Sequence, residues 1–266
     1  MFNNYLTLWG LTPDGDQIIT QNSRLLPVRC GGAPAMLKIA LEEEERRGAA
    51  LMVWWNGEGA ARVLAHDHDA LLMERAIGAD SLVEMARNGH DDQASRILCE
   101  VAAKLHAPKD YPPPSTLMPL SHWFEALDRA VSRFEGVWRR AASTARELLA
   151  CPQDVAILHG DIHHGNVLDA GPRGWLAIDP KGLVGERGFD FANIFCNPDL
   201  EMATAQGRLA RQTSVVAAVA GLDRVRLLKW ILAFAGLSAA WMIEDGQQPG
   251  LALAVGELAA SELGNH

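Results

Sequence analysis

The sequence predicts an α+β fold of two lobes: a small β-rich lobe over residues 1–76 and a larger, mainly helical lobe over residues 77–266. Three observations predict it. Short apolar runs separated by turn residues fill most of the first third. After Ala76 the apolar residues move to helical spacing. One cluster of strand-sized runs and loops, 155–179, interrupts the helical region. With 266 residues, 48% of them hydrophobic, the chain can bury a sizeable core as one domain or two close lobes.

The elements follow in order. "DQIIT" (16–20), "LLPVR" (25–29) and "PAMLKIA" (34–40) are short apolar runs, and "CGGAP" between the last two is a hairpin turn signal. "LEEEERRGAALMVWWNG" carries its acidic residues in front, where the helix macrodipole favours them, so a helix ending at Gly57 is expected. "ARVLAHD" and "ALLMERA" are two more strands with "HDHD" at the turn. "DDQASRILCEVAAKLHAP" has helical spacing, with Asp91 as N-cap and Pro108 as the stop. "YPPPSTLMP" is a linker, and residues 120–150 are helical with a break near Gly136. "VAIL" (155–158), "VLD" (167–169) and "WLAID" (175–179) are strands around loops; beyond Asp190 the pattern is helical again.

Composition narrows the partners. The net charge of −9, from 24 basic and 33 acidic residues, makes nucleic acid and anionic membrane poor partners and a cationic small molecule a good one. Four scattered cysteines form no CxxC pair, so neither a zinc ribbon nor a disulfide framework is indicated. No basic start precedes a long apolar run, and no uninterrupted apolar stretch nears twenty residues; a reducing cytoplasm is the expected location.

The chemistry concentrates in "LHGDIHHGNVLDAGPRGWLAIDPKG", Leu158–Gly182. Asp161 and Asn166 lie five positions apart on one loop, and Asp179 ends a strand that pairs back beside them. A hairpin would thus gather three oxygen-bearing side chains. Such donors suit Mg²⁺, a hard cation held by few protein ligands and completed by substrate phosphates. Phosphoryl transfer needs this set: one Asp to take a hydroxyl proton, an Asn and a second Asp to hold metal. The histidines are weaker as zinc ligands. His163 and His164 are adjacent and would point apart, and no HExxH accompanies them. His159 and His163 are expected to be structural and His164 to lie on the surface. GxSxG is absent, which argues against a serine hydrolase.

"HGDIHHGN" followed by "AIDP" resembles the catalytic loop and metal-binding Asp of the aminoglycoside phosphotransferases, whose fold is protein-kinase-like. Gly160 stands where protein kinases carry Arg, which argues against a regulated protein kinase. The longer run "RGWLAIDPKGLVGERGFDFANIF", with "MVWWNGEGAARVL", "LLMERA" and "GLSAAW", is similar to the streptomycin 6-phosphotransferase group of antibiotic resistance kinases, over about Leu25 to Trp241. The resemblance implies ATP and Mg²⁺, with Asp161 as base and Asn166 and Asp179 on the metal. It implies Lys38 on the α- and β-phosphates, with Glu45 as its partner and Glu44 or Glu43 as alternatives. "LLMERA" would be the hinge, with backbone groups of Glu74 and Ala76 facing adenine and Met73 near its ring. No GxGxxG precedes Lys38; Ser23 in "QNSRLLPVR" is the expected phosphate contact instead.

Two further expectations concern the acceptor. Asp190 would either buttress the catalytic loop or face a cationic substrate. Trp241, beside Glu244 and Asp245, would receive a guanidinium through cation–π and charge-assisted contacts. The function so implied is phosphorylation of a streptomycin hydroxyl, the 6-hydroxyl by resemblance. A kinase of another small hydroxylated metabolite and a non-catalytic nucleotide-binding module are the alternatives.

Overall fold

The computed structural model describes residues 1–264. Its N-terminal region holds α1 (Phe2–Leu8), β1 (Leu11–Pro13), β2 (Ile18–Ile19), β3 (Ser23–Cys30), β4 (Ala33–Ala40), α2 (Glu43–Trp55), β5 (Val63–Asp67) and β6 (Ala70–Glu74). The strands form one antiparallel sheet in the order β1-β3-β4-β6-β5, with β2 added on β3. Gly31 and Gly32, both at positive φ, close the β3–β4 hairpin where "CGGAP" predicted it.

Alternation on β6 shows what each face of the sheet is for. Ala70 and Leu72 join Val28, Leu37 and Ile39 in a small core roofed by Phe2 and Tyr5 of α1. Leu71 and Met73 face the main core instead, where α2 contributes Leu51, Met52 and Trp55. Thus α2 falls between β4 and β5 in sequence but packs with the helical remainder. The sequence reading did not expect α1; none of its residues is fully buried, so its apolar pattern is weak.

The remainder holds α3 (Leu82–Met85), α4 (Asp91–His106), β7 (Met118–Pro119), α5 (Leu120–Trp123), α6 (Glu125–Val131) and α7 (Val137–Ala150). Then come β8 (Val155–Leu158), β9 (Val167–Asp169), β10 (Trp175–Ala177), β11 (Leu183–Glu186) and a 3₁₀ segment over Arg187–Cys196. The chain finishes with α8 (Leu200–Ala203), α9 (Arg208–Ala220), α10 (Arg224–Glu244) and α11 (Gly250–Gly264). The helical break falls at Gly136, as expected.

One expectation fails here. Asp91 is not an N-cap: its carboxylate turns inward to a bidentate pair with Arg208 on α9, at 2.8 and 3.0 Å, with both residues 3% exposed or less. A buried arginine needs that carboxylate more than the helix end does.

α10 is long and apolar enough, by length and composition, to cross a membrane, but 67% of its most apolar window is buried inside the fold. It is the central core helix, against α7, α11 and the 3₁₀ segment. The strands after α7 split between two small sheets. β8 pairs with β11 in the order β7-β11-β8, while β9 and β10 make a separate hairpin. The loop from His159 to Asn166 therefore bridges the two.

Candidate active site

The 3₁₀ segment holds this loop from behind. Residues three apart on such a helix share a face, which turns Asp190 and Asn193 the same way. Asp190 accepts from the backbone N–H groups of His159 (2.9 Å) and Gly160 (2.7 Å), and its Oδ2 lies 2.7 Å from His106 Nε2. It is 1% exposed, so of the two expected roles it takes the first and buttresses the loop, and its expected place against a substrate is corrected. Asn193 Nδ2 donates to Asp161 Oδ1 at 2.7 Å, and Asn166 Nδ2 donates to Asp161 Oδ2 at 2.9 Å. Both carboxylate oxygens of Asp161 are thus fixed by amides. Sequence reading missed Asn193, although its spacing from Asp190 was the available signal.

His159 ties the loop to the hairpin. Its Nδ1 accepts from Asp161 N at 3.2 Å and its Nε2 lies 2.9 Å from the Ile178 carbonyl. Burial pushes its pKa down to about 4, so the ring is neutral and carries its proton on Nε2 toward that carbonyl. His163 accepts from Gly165 N through Nδ1, which orders the loop turn. His164 is buried at 2% exposure rather than on the surface as expected. It packs inward near Arg208 and Asp91, and burial also takes its pKa down to about 4.

The hairpin completes the constellation. Ile178 N donates to the Asn166 carbonyl at 2.9 Å, so Asp179 follows one residue beyond that contact. Asp179 takes a left-handed φ of 62°, rare for a residue with a Cβ, which turns the chain sharply toward α2. Lys38, on the middle of β4, pairs with both Asp179 and Glu45. Of the three glutamates weighed for Lys38, Glu45 is the partner; Glu44 Oε1 lies 3.4 Å from Lys181, and Glu43 pairs with Arg46 at the surface. α2 is seated directly on the segment after Asp179. Arg47 Nε donates to the Lys181 carbonyl at 2.9 Å, and a Cβ on Gly48 would lie 2.0 Å from the Pro180 carbonyl oxygen.

The two aspartates differ in charge state. Burial pushes the Asp161 carboxyl up to about 7; Lys181 opposes that, while Asp179 and Glu44 add to it. Burial works against ionised Asp179 too, but Lys38 and Lys181 outweigh it and hold its carboxyl below the usual range. When the surroundings drive a pair of carboxylates in opposite directions, one becomes a base and the other a permanent anion. Among the described residues no cluster of three or more His, Cys, Asp or Glu could hold a metal. The oxygen donors here instead suit a hard cation that takes few protein ligands. Asp179 is ionised, and the Asn166 amide points its nitrogen at Asp161, leaving Oδ1 on the other side.

A cavity of about 410 Å³ opens in front of Asp161, lined also by Lys181, Trp123, Trp241, Glu244 and Asp245. Trp123 and Trp241 meet edge to face, with centroids 4.8 Å apart. Gln21 and Asn22, from the turn before β3, close its N-terminal side. Ser23 does not fit its expected role: it is 3% exposed and its hydroxyl bonds Thr20 Oγ1 at 2.9 Å, so the residues of this turn that reach the cleft are its neighbours.

At the end of β6, Met73 is buried in the main core. The Glu74 carboxylate accepts from Arg62 N at 2.5 Å and pairs with Arg173, while its N–H donates to the Arg62 carbonyl at 2.9 Å. β6 ends at Glu74, two residues before the lobe boundary expected at Ala76.

A family profile described as aminoglycoside/hydroxyurea antibiotic resistance kinase matches residues 8–246. The chain belongs to this family. Streptomycin 3''-kinase from Klebsiella pneumoniae is 54% identical over 90% of this chain and 91% of its own length. Streptomycin 6-kinase from Streptomyces glaucescens is 34% identical over 91% and 81%. Among solved structures, a thermostable mutant of aminoglycoside phosphotransferase APH(4)-Ia, in a ternary complex with ADP and hygromycin B, superposes with a TM-score of 0.68 at 13% identity, over 97% of each chain. The kinase-like fold expected from the catalytic loop is therefore the observed one, and this family member is a phosphotransferase that uses a hydroxyl acceptor.

Proposed function

We propose that the chain transfers the γ-phosphoryl group of ATP, with Mg²⁺, to a hydroxyl of streptomycin. The observation that carries the reading is Asp161: a carboxylate aimed by two amides, with its pKa near neutrality, at the edge of an acidic and aromatic cavity. A general base works best with a pKa near the working pH. Asp161 aligns the acceptor hydroxyl and takes its proton. Asn166 and Asp179 hold Mg²⁺, which neutralises phosphate charge. Lys38, positioned by Glu45, meets the α- and β-phosphates. The Glu74 carbonyl and the Ala76 N–H face adenine, residues 1–76 acting as the nucleotide-binding lobe. Most of the acceleration comes from alignment and electrostatics. Trp241, with Trp123 beside it and Glu244 and Asp245 at the rim, takes a guanidinium of the acceptor.

The sequence resemblance pointed to the 6-hydroxyl. The 54% identity to a 3''-kinase, against 34% to a 6-kinase, favours the 3''-hydroxyl, and we place it first. The test is incubation with ATP, Mg²⁺ and a panel of aminoglycosides, hydroxyurea and choline, read by product mass and by the ³¹P–¹H coupling that locates the phosphate. Phosphorylated streptomycin is the expected product, and coupling to the 3'' proton decides the position. Phosphorylation of another panel member in preference to streptomycin would overturn the acceptor assignment, and ADP release with none would overturn the reading.

A further inference from the structure

One cation in the cleft bears on the charge of Asp161 and Asp179 but has no part in the transfer above. Lys181 is 15% exposed at its side chain, and its Nζ lies 3.4 Å from Glu44 Oε1, 3.6 Å from Glu45 Oε1 and 3.8 Å from Asp179 Oδ2. Lys38 sits in direct contact with its two carboxylates. Lys181 hangs between three and closes on none at the distance of a strong charge-assisted bond. Its main chain, by contrast, is strapped at both ends. The N–H donates to the His159 carbonyl at 2.7 Å, and the carbonyl accepts from Arg47. Left-handed backbone at Asp179 and Gly182 brackets it, and Gly160 leaves room for its stem, since a Cβ there would lie 3.0 Å from Lys181 Cβ. The ammonium ends at the wall of the cavity that holds Asp161; Lys38 does not line that cavity. An ammonium with three donors, beside the base and beside the expected metal-binding carboxylate, stands where the transferred group must pass.

We propose that Lys181 is a second phosphate-binding lysine, specific for the terminal phosphoryl group and for the charge on it during transfer. This rests on the reading of Asp161 as the base. The acceptor oxygen bonds to the γ-phosphorus as the bond from that phosphorus to the β,γ-bridging oxygen breaks. The hydroxyl proton goes to Asp161, and the electron pair leaves with the nucleoside diphosphate. Lys181 keeps its proton throughout and donates to the non-bridging oxygens in transit, a preorganised contact of the kind that lowers barriers most. Its alternative role, spreading positive charge among Glu44, Glu45 and Asp179, would make it structural only.

Binding separates the two roles. Calorimetric titration of the Mg²⁺ complexes of AMP-PNP and ADP into wild type and Lys181→Met is expected to show AMP-PNP weakened by about tenfold or more while ADP stays within about twofold, since only the former carries the terminal phosphate. Turnover should fall by about 10²- to 10³-fold with little change in the acceptor KM, and Lys181→Arg should restore some of both. Equal weakening of the two nucleotides, or none, would overturn the proposal. If Lys181→Met melts below the assay temperature, Lys181→Gln is read by the same ratio. Asp161→Asn tests the underlying reading separately: it should keep the wild-type AMP-PNP to ADP ratio while losing turnover. Normal turnover there would remove the base but leave the Lys181 result standing.

Discussion

Asp161 carries a charge that its surroundings oppose. Burial takes its pKa to about 7, so below that pH the carboxyl is protonated and could not serve as the proposed base. The activity limb therefore runs upward: kcat/KM for the acceptor should rise with pH and level off above about pH 7, where the free enzyme is ionised. Asp161→Asn should lower turnover by about 10²- to 10⁴-fold, since a base is removed and one amide donor now meets another. Asn193→Ala removes a bond that favours the ionised form, so the midpoint should move to higher pH, beyond any loss in kcat. A pH–rate profile unmoved by Asn193→Ala would show that this amide does not tune Asp161. At this scale the sequence was most legible where chemistry is local. Asp161, Asn166 and Asp179 stand together because one loop and one hairpin suffice to join them. Ser23 and His164 were misread because burial is set by what packs over a residue, which their neighbours in sequence do not reveal. Lys181 went unnoticed because its place depends on a left-handed turn that no residue type announces at Asp179.

Two junctions fix the rest, one between α4 and α9 and one under α2. α4 and α9 are joined by the buried Asp91–Arg208 pair across 117 positions of sequence. Arg208→Ala leaves buried Asp91 with only the exposed Arg211 at 3.5 Å, and should lower stability by up to about 3–5 kcal/mol, read from the denaturant midpoint. A loss under about 1 kcal/mol would mean that Arg211 or water takes over the Asp91 charge. Helix α2 meets the chain after Asp179 with no gap, so Gly48→Ala cannot be accommodated without lifting the helix from Pro180. That shift would separate Glu45 from Lys38, and kcat should fall by about 10²-fold while the fold persists. Wild-type turnover in that variant would mean that the Pro180 segment yields instead. Elements whose pattern is periodic were readable: β3, β4, α2, α4, α7 and α10 all lie where spacing put them. The pairing of β8 with β11 was not, because four-residue strands carry no sign of their partner.

The whole molecule brings charge to bear on its substrate. A net charge of −9 and an acidic cavity rim would attract the proposed cationic acceptor before any contact forms. Raising ionic strength from about 0.05 to 0.5 M shortens the Debye length severalfold, so kcat/KM for a polycationic aminoglycoside should fall with salt while kcat changes little. A flat salt response would assign recognition to contact alone. The seating of α2 has a last consequence at this scale. In a signalling kinase the corresponding helix can swing, and that freedom is what makes a switch. Here Arg47 fastens it to the chain beyond Asp179 and Gly48 closes the remaining space. Packing at these two points is expected to keep Glu45 on Lys38 before substrate arrives. The first turnover should show no lag, and a cell that carries the protein would set the level of activity by how many copies it makes.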